Sequence, residues 1–166
     1  MMKLLIAYAS KSGCAREMAT MLGEQLPRHE VTLCDLDKEQ PDPAAFDYAV
    51  IGGSIRINRA HKALRKYLEK YGSALEKLPH TLFLCCAFAE YLDHYFAVAF
   101  PKELRESADE VLYFGGDLTL SRQRGLDKWL ARMIRNSILE SEEEDNVLPT
   151  LLPEHVRALA DRLRKK

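Results

Sequence analysis

The 166-residue sequence has no long hydrophobic run, which limits where the protein can work. A membrane-spanning helix needs about 20 mainly apolar residues, whereas the first apolar run covers only positions 4–9. That run is also too short for a secretory signal peptide and has no cleavage site. We therefore expect a cytoplasmic protein, with a peripheral position on the inner face of a membrane as the alternative.

The sequence also has no excess of one charge and no residue spacing typical of a metal site. The sequence has 24 Lys and Arg residues against 25 Asp and Glu residues, so its formal net charge is −1 and gives no signal for nucleic-acid binding. The four cysteines form no Cys-x-x-Cys pair and no zinc-ligand spacing. We expect no metal site, and we interpret Cys34, Cys85 and Cys86 as buried thiols in a reducing compartment.

Short apolar segments alternate with helical patterns along the chain. Strands are predicted at 3–9, 31–33, 48–51, 81–86 and 110–114, and the third is expected to end at Gly52-Gly53-Ser54. Helical spacing predicts one helix over 88–100, stopped by Pro101, and a last helix that begins at Pro153. This alternation is typical of a parallel sheet with helices on both faces. We predict a single α/β domain over residues 1–166.

An extra amphipathic helix is predicted before the last helix. Its apolar stripe consists of Leu126, Trp129, Leu130, Met133, Ile134 and Ile138. The stripe either packs on the core or lies near a membrane, with Trp129 at the interface and basic residues towards anionic lipid. Those basic residues are Arg122, Arg124, Lys128, Arg132 and Arg135. The membrane contact would run through 122–138, although the acidic run at 142–145 argues mildly against it.

The predicted topology indicates where a ligand would bind. In a five-stranded doubly wound sheet of order 2-1-3-4-5, ligands bind at the carboxyl ends of the strands, beside the reversal between strands 1 and 3. The loops at 9–15, 52–59 and 87–91 border that point. In the first loop, Ser10, Ser12 and Gly13 can turn N–H groups towards a phosphate at a helix start. An ordinary strand-to-helix turn has the same composition, so both interpretations remain open, and neither a Walker A nor a GxGxxG pattern is present.

Two segments resemble a known family. Tyr-Ala-Ser-Lys-Ser-Gly-Cys-Ala at 8–15 is similar to the flavodoxin phosphate loop, Ser/Thr-x-Thr-Gly-x-Thr. Val-Ile-Gly-Gly-Ser-Ile-Arg at 50–56 resembles the second loop of one branch, the menaquinone-dependent protoporphyrinogen IX dehydrogenases and related flavodoxin-domain proteins. The resemblance extends over nearly the whole chain and implies a flavodoxin-like fold.

The resemblance also implies a non-covalently bound FMN. It assigns the phosphate to Ser10, Ser12, Gly13 and Cys14 with Lys11 alongside, and Ala15 occupies a position where the family pattern has Thr. It assigns the ribityl chain and ring to Ser54, Ile55 and Arg56, and the other side of the ring to Ala87, Phe88 and Ala89. Because Ala15 has no hydroxyl, we expect weaker FMN binding rather than none.

Three functions follow as hypotheses. The first is an FMN enzyme of heme biosynthesis that oxidises a reduced tetrapyrrole, protoporphyrinogen IX, and passes the electrons to menaquinone. The second is a flavodoxin-type electron carrier or quinone reductase with another partner, and the third is a flavin-free binding module. Carrier flavodoxins are strongly acidic, whereas this chain has Arg56, Arg59 and Lys62 beside the expected ring, which suits a substrate with carboxylates. The sequence assigns no catalytic acid or base, and His61 and His94 are candidates only by residue type.

Overall fold

Strands and helices alternate along the chain, as the sequence pattern predicts. The computed structural model describes residues 1–118, 125–140 and 148–166. Within these ranges the strands are β1 (Lys3–Ala9), β2 (Glu30–Asp35), β3 (Tyr48–Arg56), β4 (Arg59–Ala60), β5 (His80–Cys85) and β6 (Glu110–Tyr113). The α-helices are α1 (Cys14–Glu24), α2 (Lys62–Leu75), α3 (Leu92–Ala99), α4 (Lys102–Ser107), α5 (Leu126–Glu140) and α6 (Pro153–Leu163). Among the described residues, no helix has the length and apolar character needed to cross a membrane.

Five of the strands form a parallel sheet in the order β2-β1-β3-β5-β6. The predicted order 2-1-3-4-5 is confirmed, and the labels differ because the two-residue strand β4 pairs antiparallel with the end of β3. The order reverses between β1 and β3, whose register runs from the pair Leu4–Tyr48 to the pair Ala9–Gly53. The carboxyl ends of β1 and β3 therefore lie side by side, which is where such a sheet binds its ligand.

Strand β1 contributes to a core on each face of the sheet because successive side chains point in opposite directions. Leu4 and Ile6 belong to a buried cluster that includes residues of α1 and α6. Leu5 and Ala7 belong to a second cluster that includes residues of α2 and α4. The side chains of β1 from position 4 to position 9 are all buried. Helices cover both faces of the sheet, as the alternation of elements predicts.

The expected end of the third strand at Gly52-Gly53 is wrong, because β3 continues to Arg56. A Cβ atom on Gly52 would lie 2.2 Å from the Phe83 carbonyl oxygen, and one on Gly53 would lie 2.8 Å from the Ala9 carbonyl oxygen. These glycines therefore allow neighbouring strands to approach closely, which is the other common reason for glycine within a strand. The predicted loop at 52–59 is a hairpin that continues from the sheet.

The predicted helix over 88–100 is interrupted near its start. Residues Ala89–Tyr91 form a short 3-10 helix, and α3 covers only Leu92–Ala99. The sequence interpretation also missed α4, which begins directly after Pro101. Proline ends the preceding helix as expected, but its fixed φ also suits a residue at the start of the next one.

The last residue of the chain is tied to the sheet through Asp109. The Tyr48 hydroxyl donates a hydrogen bond to Asp109 Oδ2 at 3.1 Å, and the Lys166 ammonium donates to the same oxygen. The Lys166 nitrogen also lies 4.3 Å from the centre of the Tyr48 ring. The hydrogen bond from Lys166, together with that from Tyr48, lowers the pKa of Asp109 against the opposing effect of burial.

We expect Asp109→Asn to lower the free energy of unfolding by about 0.5–1 kcal/mol at neutral pH, a value limited by the exposure of the pair. A carboxyl group whose pKa is depressed in the folded state stabilises the protein above its unfolded pKa of about 3.9 and loses that effect as the pH falls through the folded pKa. The difference between variant and parent should therefore be smaller at about pH 3 than at about pH 7. Urea unfolding at both pH values measures it. An equal difference at both values would contradict the expectation.

Candidate functional site

The turn between β1 and α1 is closed by a side chain of its own. The Ser10 hydroxyl oxygen accepts a hydrogen bond from the Gly13 N–H at 3.0 Å. Gly13 has a φ of 97°, in the left-handed region that favours glycine, although the space around it is open. Gly13 is needed for its backbone conformation, and Ser10 for the hydrogen bond that holds it.

The start of α1 points from this turn towards the carboxyl edge of the sheet. Gly13 is the residue that precedes the helix, and no side chain caps the helix start. The Ser12 hydroxyl donates to the sulfur of Cys14 at 3.4 Å. The first N–H groups of a helix and its dipole attract an anion. This turn can therefore hold a phosphate group.

The hairpin after β3 forms the opposite side of the site. Ile57 and Asn58 make its two-residue turn with φ values of 45° and 58°. The left-handed conformation is unusual for a β-branched residue such as Ile57. The Ile57 side chain is also 70% exposed, so burial does not stabilise it in this conformation. His94 Nε2 lies 2.8 Å from Asn58 Oδ1, so α3 supports the turn. The end of β3, which carries Ser54 to Arg56, is thereby fixed in direction.

A cavity of about 260 Å³ joins these segments. Its walls are built from Lys11, Ser12 and Cys14, from segments 54–58, 85–88 and 116–118, from Tyr95, and from Leu130, Ala131 and Ile134 of α5. Its described charged side chains are those of Lys11, Arg56 and Asp117. A mainly apolar wall with a few polar groups is the usual form of a cofactor site.

The cavity brings together most of the site residues that the sequence predicts. Those that line it are Lys11, Ser12, Cys14, Ser54, Ile55, Arg56, Ala87 and Phe88. Ser10, Gly13, Ala15, Ala89, Arg59 and Lys62 are not among its lining residues. Ser10 and Gly13 shape the turn beside the cavity, Ala15 is buried on the inner face of α1, and Arg59 and Lys62 are exposed.

The sequence interpretation missed Asp117 and Tyr95, which also line the cavity. Asp117 follows β6 at the same carboxyl edge, next to Gly116. A Cβ atom on Gly116 would lie 2.0 Å from the Cys86 carbonyl oxygen, so the chain after β6 packs directly against the chain after β5. Because ligands bind at this edge of the sheet, the loop after the last strand also borders the expected site, and Asp117 could have been predicted from its position there.

The apolar stripe of α5 is divided between two environments. Ala131 is buried, and Leu130 and Ile134 line the cavity. In contrast, Trp129 and Met133 are 60% and 51% exposed. Packing within the protein therefore accounts for the apolar residues on one side of the helix only. The predicted basic positions Arg122 and Arg124, and the acidic run at 142–145, lie outside the described residues.

The two histidines that the sequence offered as candidates both contact the protein itself. His61 Nδ1 accepts a hydrogen bond from the Ala63 N–H at 3.3 Å and so caps α2. Its Nε2 lies 3.5 Å from a carboxylate oxygen of Asp37. His94 supports the hairpin turn through Asn58. Neither histidine lines the cavity.

All four cysteines are buried, including Cys34, Cys85 and Cys86 as predicted, and none forms a disulfide. Burial raises the pKa of the Cys34 and Cys86 thiols to about 11. Burial also raises the pKa of Cys85 well above its ordinary value. In the part of the chain that the structure describes, no group of three or more His, Cys, Asp or Glu residues could hold a metal ion.

Known proteins share this architecture. The fold is similar to that of a short-chain flavodoxin associated with a non-canonical PDU bacterial microcompartment, with a TM-score of 0.58 at 16% identity, covering 99% of this chain and 98% of that chain. It is also similar to oxidised flavodoxin 1 from Bacillus cereus, with a TM-score of 0.52 at 16% identity, covering 80% of this chain and 93% of that chain.

The sequence itself gives two further matches. It is 24% identical over 142 residues to protoporphyrinogen IX dehydrogenase [quinone] from Escherichia coli strain K12, covering 80% of this chain and 78% of that protein. The sequence model of the flavodoxin domain family matches residues 5–145. This span includes the turn after β1, the hairpin after β3 and the α5 wall of the cavity. The chain therefore belongs to the flavodoxin domain family.

Proposed function

We propose that the protein binds FMN non-covalently and uses it in an oxidoreductase reaction. One observation carries this proposal: the turn at 10–13 and the start of α1 open on the apolar cavity at the reversal of strand order. FMN combines a charged phosphate with a flat, largely apolar ring system. The turn offers donors for the phosphate, and the apolar walls suit the ring.

The departure from the family pattern at Ala15 is compatible with this proposal. Ala15, the second residue of α1, has no exposed surface and belongs to the buried cluster between α1 and the sheet. The substitution removes a hydroxyl but leaves the backbone N–H groups at the helix start. Lys11 and Ser12 lie on the cavity wall and can supply a charge and a hydroxyl donor.

The residues of the chain would position the cofactor and shield it. When bound, FMN accepts hydride or electrons from one partner and passes them to another. Lys11 would neutralise part of the phosphate charge. Phe88, Leu130 and Ile134 would exclude water from the ring, which strengthens every polar contact made inside the cavity.

We further propose a reaction of the protoporphyrinogen dehydrogenase type with a quinone as the acceptor. The 24% identity to the Escherichia coli enzyme, which extends over most of both chains, supports this reaction. Arg56 on the cavity wall also supports it, because a guanidinium can bind a carboxylate of a tetrapyrrole through two hydrogen bonds. The net charge of −1 favours an enzyme over an acidic carrier that docks by electrostatic steering.

The first test is a visible spectrum of the purified protein, with mass identification of any released flavin. We expect FMN, either bound on purification or taken up when added. A colourless protein that takes up no FMN would contradict the proposal and favour a flavin-free binding module.

The second test follows porphyrin fluorescence after anaerobic mixing with protoporphyrinogen IX and a menaquinone analogue. We expect formation well above the spontaneous rate. Arg56→Gln should raise KM about tenfold or more, since a charge-assisted hydrogen bond contributes about 1.5–3 kcal/mol. Arg59→Gln is the matched control, because Arg59 is exposed outside the cavity. FMN binding without porphyrin formation, together with reduction by a nicotinamide, would favour a quinone reductase.

A further inference from the structure

Several large apolar side chains of α5 are exposed. Among the described side chains of this helix, three large apolar ones are exposed by half or more, namely Trp129, Met133 and Leu139. Trp129 and Met133 are four residues apart and are therefore neighbours on the helix surface. Scattered exposed apolar residues are ordinary, but several on one element indicate a surface that contacts something else.

Basic side chains lie beside this apolar pair. Lys128 and Arg132 are exposed and one helical turn apart. Arg135 is half-buried and lies along the same row. Among the described side chains of α5, the acidic one is Glu140, at the last residue of the helix. The outer side of α5 therefore combines large apolar groups with positive charge.

The other side of the same helix is occupied by the cavity. Leu130, Ala131 and Ile134 face it and form part of its wall. Whatever covers the outer side of α5 would therefore lie one helix diameter from the cavity. The helix therefore lies between the cavity on one side and its own exposed surface on the other.

We propose that the outer side of α5, formed by Lys128, Trp129, Arg132 and Met133, docks on the anionic surface of a lipid bilayer. An indole ring suits the boundary between headgroups and acyl chains. Lys and Arg side chains are attracted to anionic headgroups, with an effect of about fivefold in partitioning for each basic residue near the surface. An amphipathic helix of this kind lies in the plane of the interface.

A second copy of the chain fits this surface less well. A two-fold contact joins the same patch on both copies, so Lys128 and Arg132 would meet a surface of their own sign. An anionic bilayer instead complements them. The proposal goes beyond the proposed function, since docking needs no flavin, but it would bring the cavity to the place where a lipid-soluble acceptor is dissolved.

Trp129 makes the proposal directly testable, because it is the only tryptophan in the chain. The purified protein is mixed with vesicles of phosphatidylcholine containing phosphatidylglycerol, and with vesicles of phosphatidylcholine alone. We expect co-sedimentation with the anionic vesicles, a blue shift of Trp129 emission, and quenching by brominated lipid, all weaker at high salt. Failure to bind anionic vesicles, or binding without a change in Trp129 emission, would overturn the proposal.

Two variants with the same change of charge locate the surface. Lys128→Glu with Arg132→Glu should weaken partitioning by at least about tenfold. Arg65→Glu with Lys66→Glu, at exposed positions of α2, should leave it nearly unchanged. Equal losses in both variants would overturn the proposal, and so would a blue shift that depends on protein concentration without lipid, which indicates a second copy. Far-UV circular dichroism checks folding, and flavin content, measured separately, keeps this result distinct from the proposed function.

Discussion

Gly13→Val should weaken FMN binding by about a hundredfold or more. A non-glycine residue in the left-handed region costs about 1–2 kcal/mol, and valine, with its branched Cβ, adapts to it poorly. A backbone that relaxes from φ 97° also moves the N–H that donates to Ser10 and redirects the first turn of α1. The loss of one or two hydrogen bonds to an anion adds about 1.5–3 kcal/mol each. Together these effects reach about two powers of ten in affinity.

The measurement is a titration of FMN fluorescence with the apoprotein. Gly125→Val is the matched control, because Gly125 also has a positive φ, of 57°, and open space around it, but precedes α5 instead of α1. We expect that control to bind FMN within about threefold of the parent protein, because it has the same kind of backbone strain at a position that does not line the cavity. Unchanged affinity in Gly13→Val would contradict a phosphate site at this turn. Equal losses in both variants would mean that strain, and not the position, is responsible.

The position of the turn after β1 beside the cavity could be predicted because two independent signals agree there. The small residues Ser10, Ser12 and Gly13 form a tight turn, and the alternation of elements puts that turn at the reversal of strand order. Neither signal required knowledge of distant contacts. The roles within the turn were less predictable. Ser10 was predicted as a phosphate donor, and the hydrogen bond that its hydroxyl oxygen accepts from the Gly13 N–H could not be predicted from the sequence.

The α5 wall of the cavity could not be predicted in the same way. Periodicity identifies one apolar stripe from Leu126 to Ile138, and the helix was correctly predicted. Yet neighbouring members of the stripe have opposite environments, since Leu130 lines the cavity while Trp129 is exposed. Which part of a stripe is covered depends on where the helix packs. That information is carried by contacts distant in sequence and not by the helix itself.

The pair Gly52-Gly53 shows why a correct sheet order can accompany a wrong strand end. Glycine marks turns because it reaches positive φ, but it also marks positions where a side chain would collide with a neighbouring strand. Gly52 pairs with Tyr8 on one side and Phe83 on the other, in the middle of the sheet. Sequence alone does not distinguish the two uses, because the obstructing atoms belong to β1 and β5.

This explanation makes Gly52→Ala the most destabilising small substitution that we expect in the sheet. The added Cβ would lie 2.2 Å from the Phe83 carbonyl oxygen and 2.4 Å from Phe83 Cδ1. The carbonyl cannot move aside easily, because β5 is paired with β3 and β6 at once. We expect a loss of about 3 kcal/mol or more, at the upper end for overpacking, and a fall in Tm of about 6–12 °C.

Gly72→Ala in α2 is the matched control, since nothing lies within 4 Å of its added Cβ atom. It should raise the free energy of unfolding by about 0.5–1 kcal/mol, because alanine is the better helix former. Urea unfolding followed by circular dichroism measures both variants. A loss below about 1 kcal/mol for Gly52→Ala would contradict the close approach of β3 to β5. One added methyl group should therefore lower the free energy of unfolding at Gly52 and raise it at Gly72, because the atoms around the two positions differ. The sequence pattern does not contain that information.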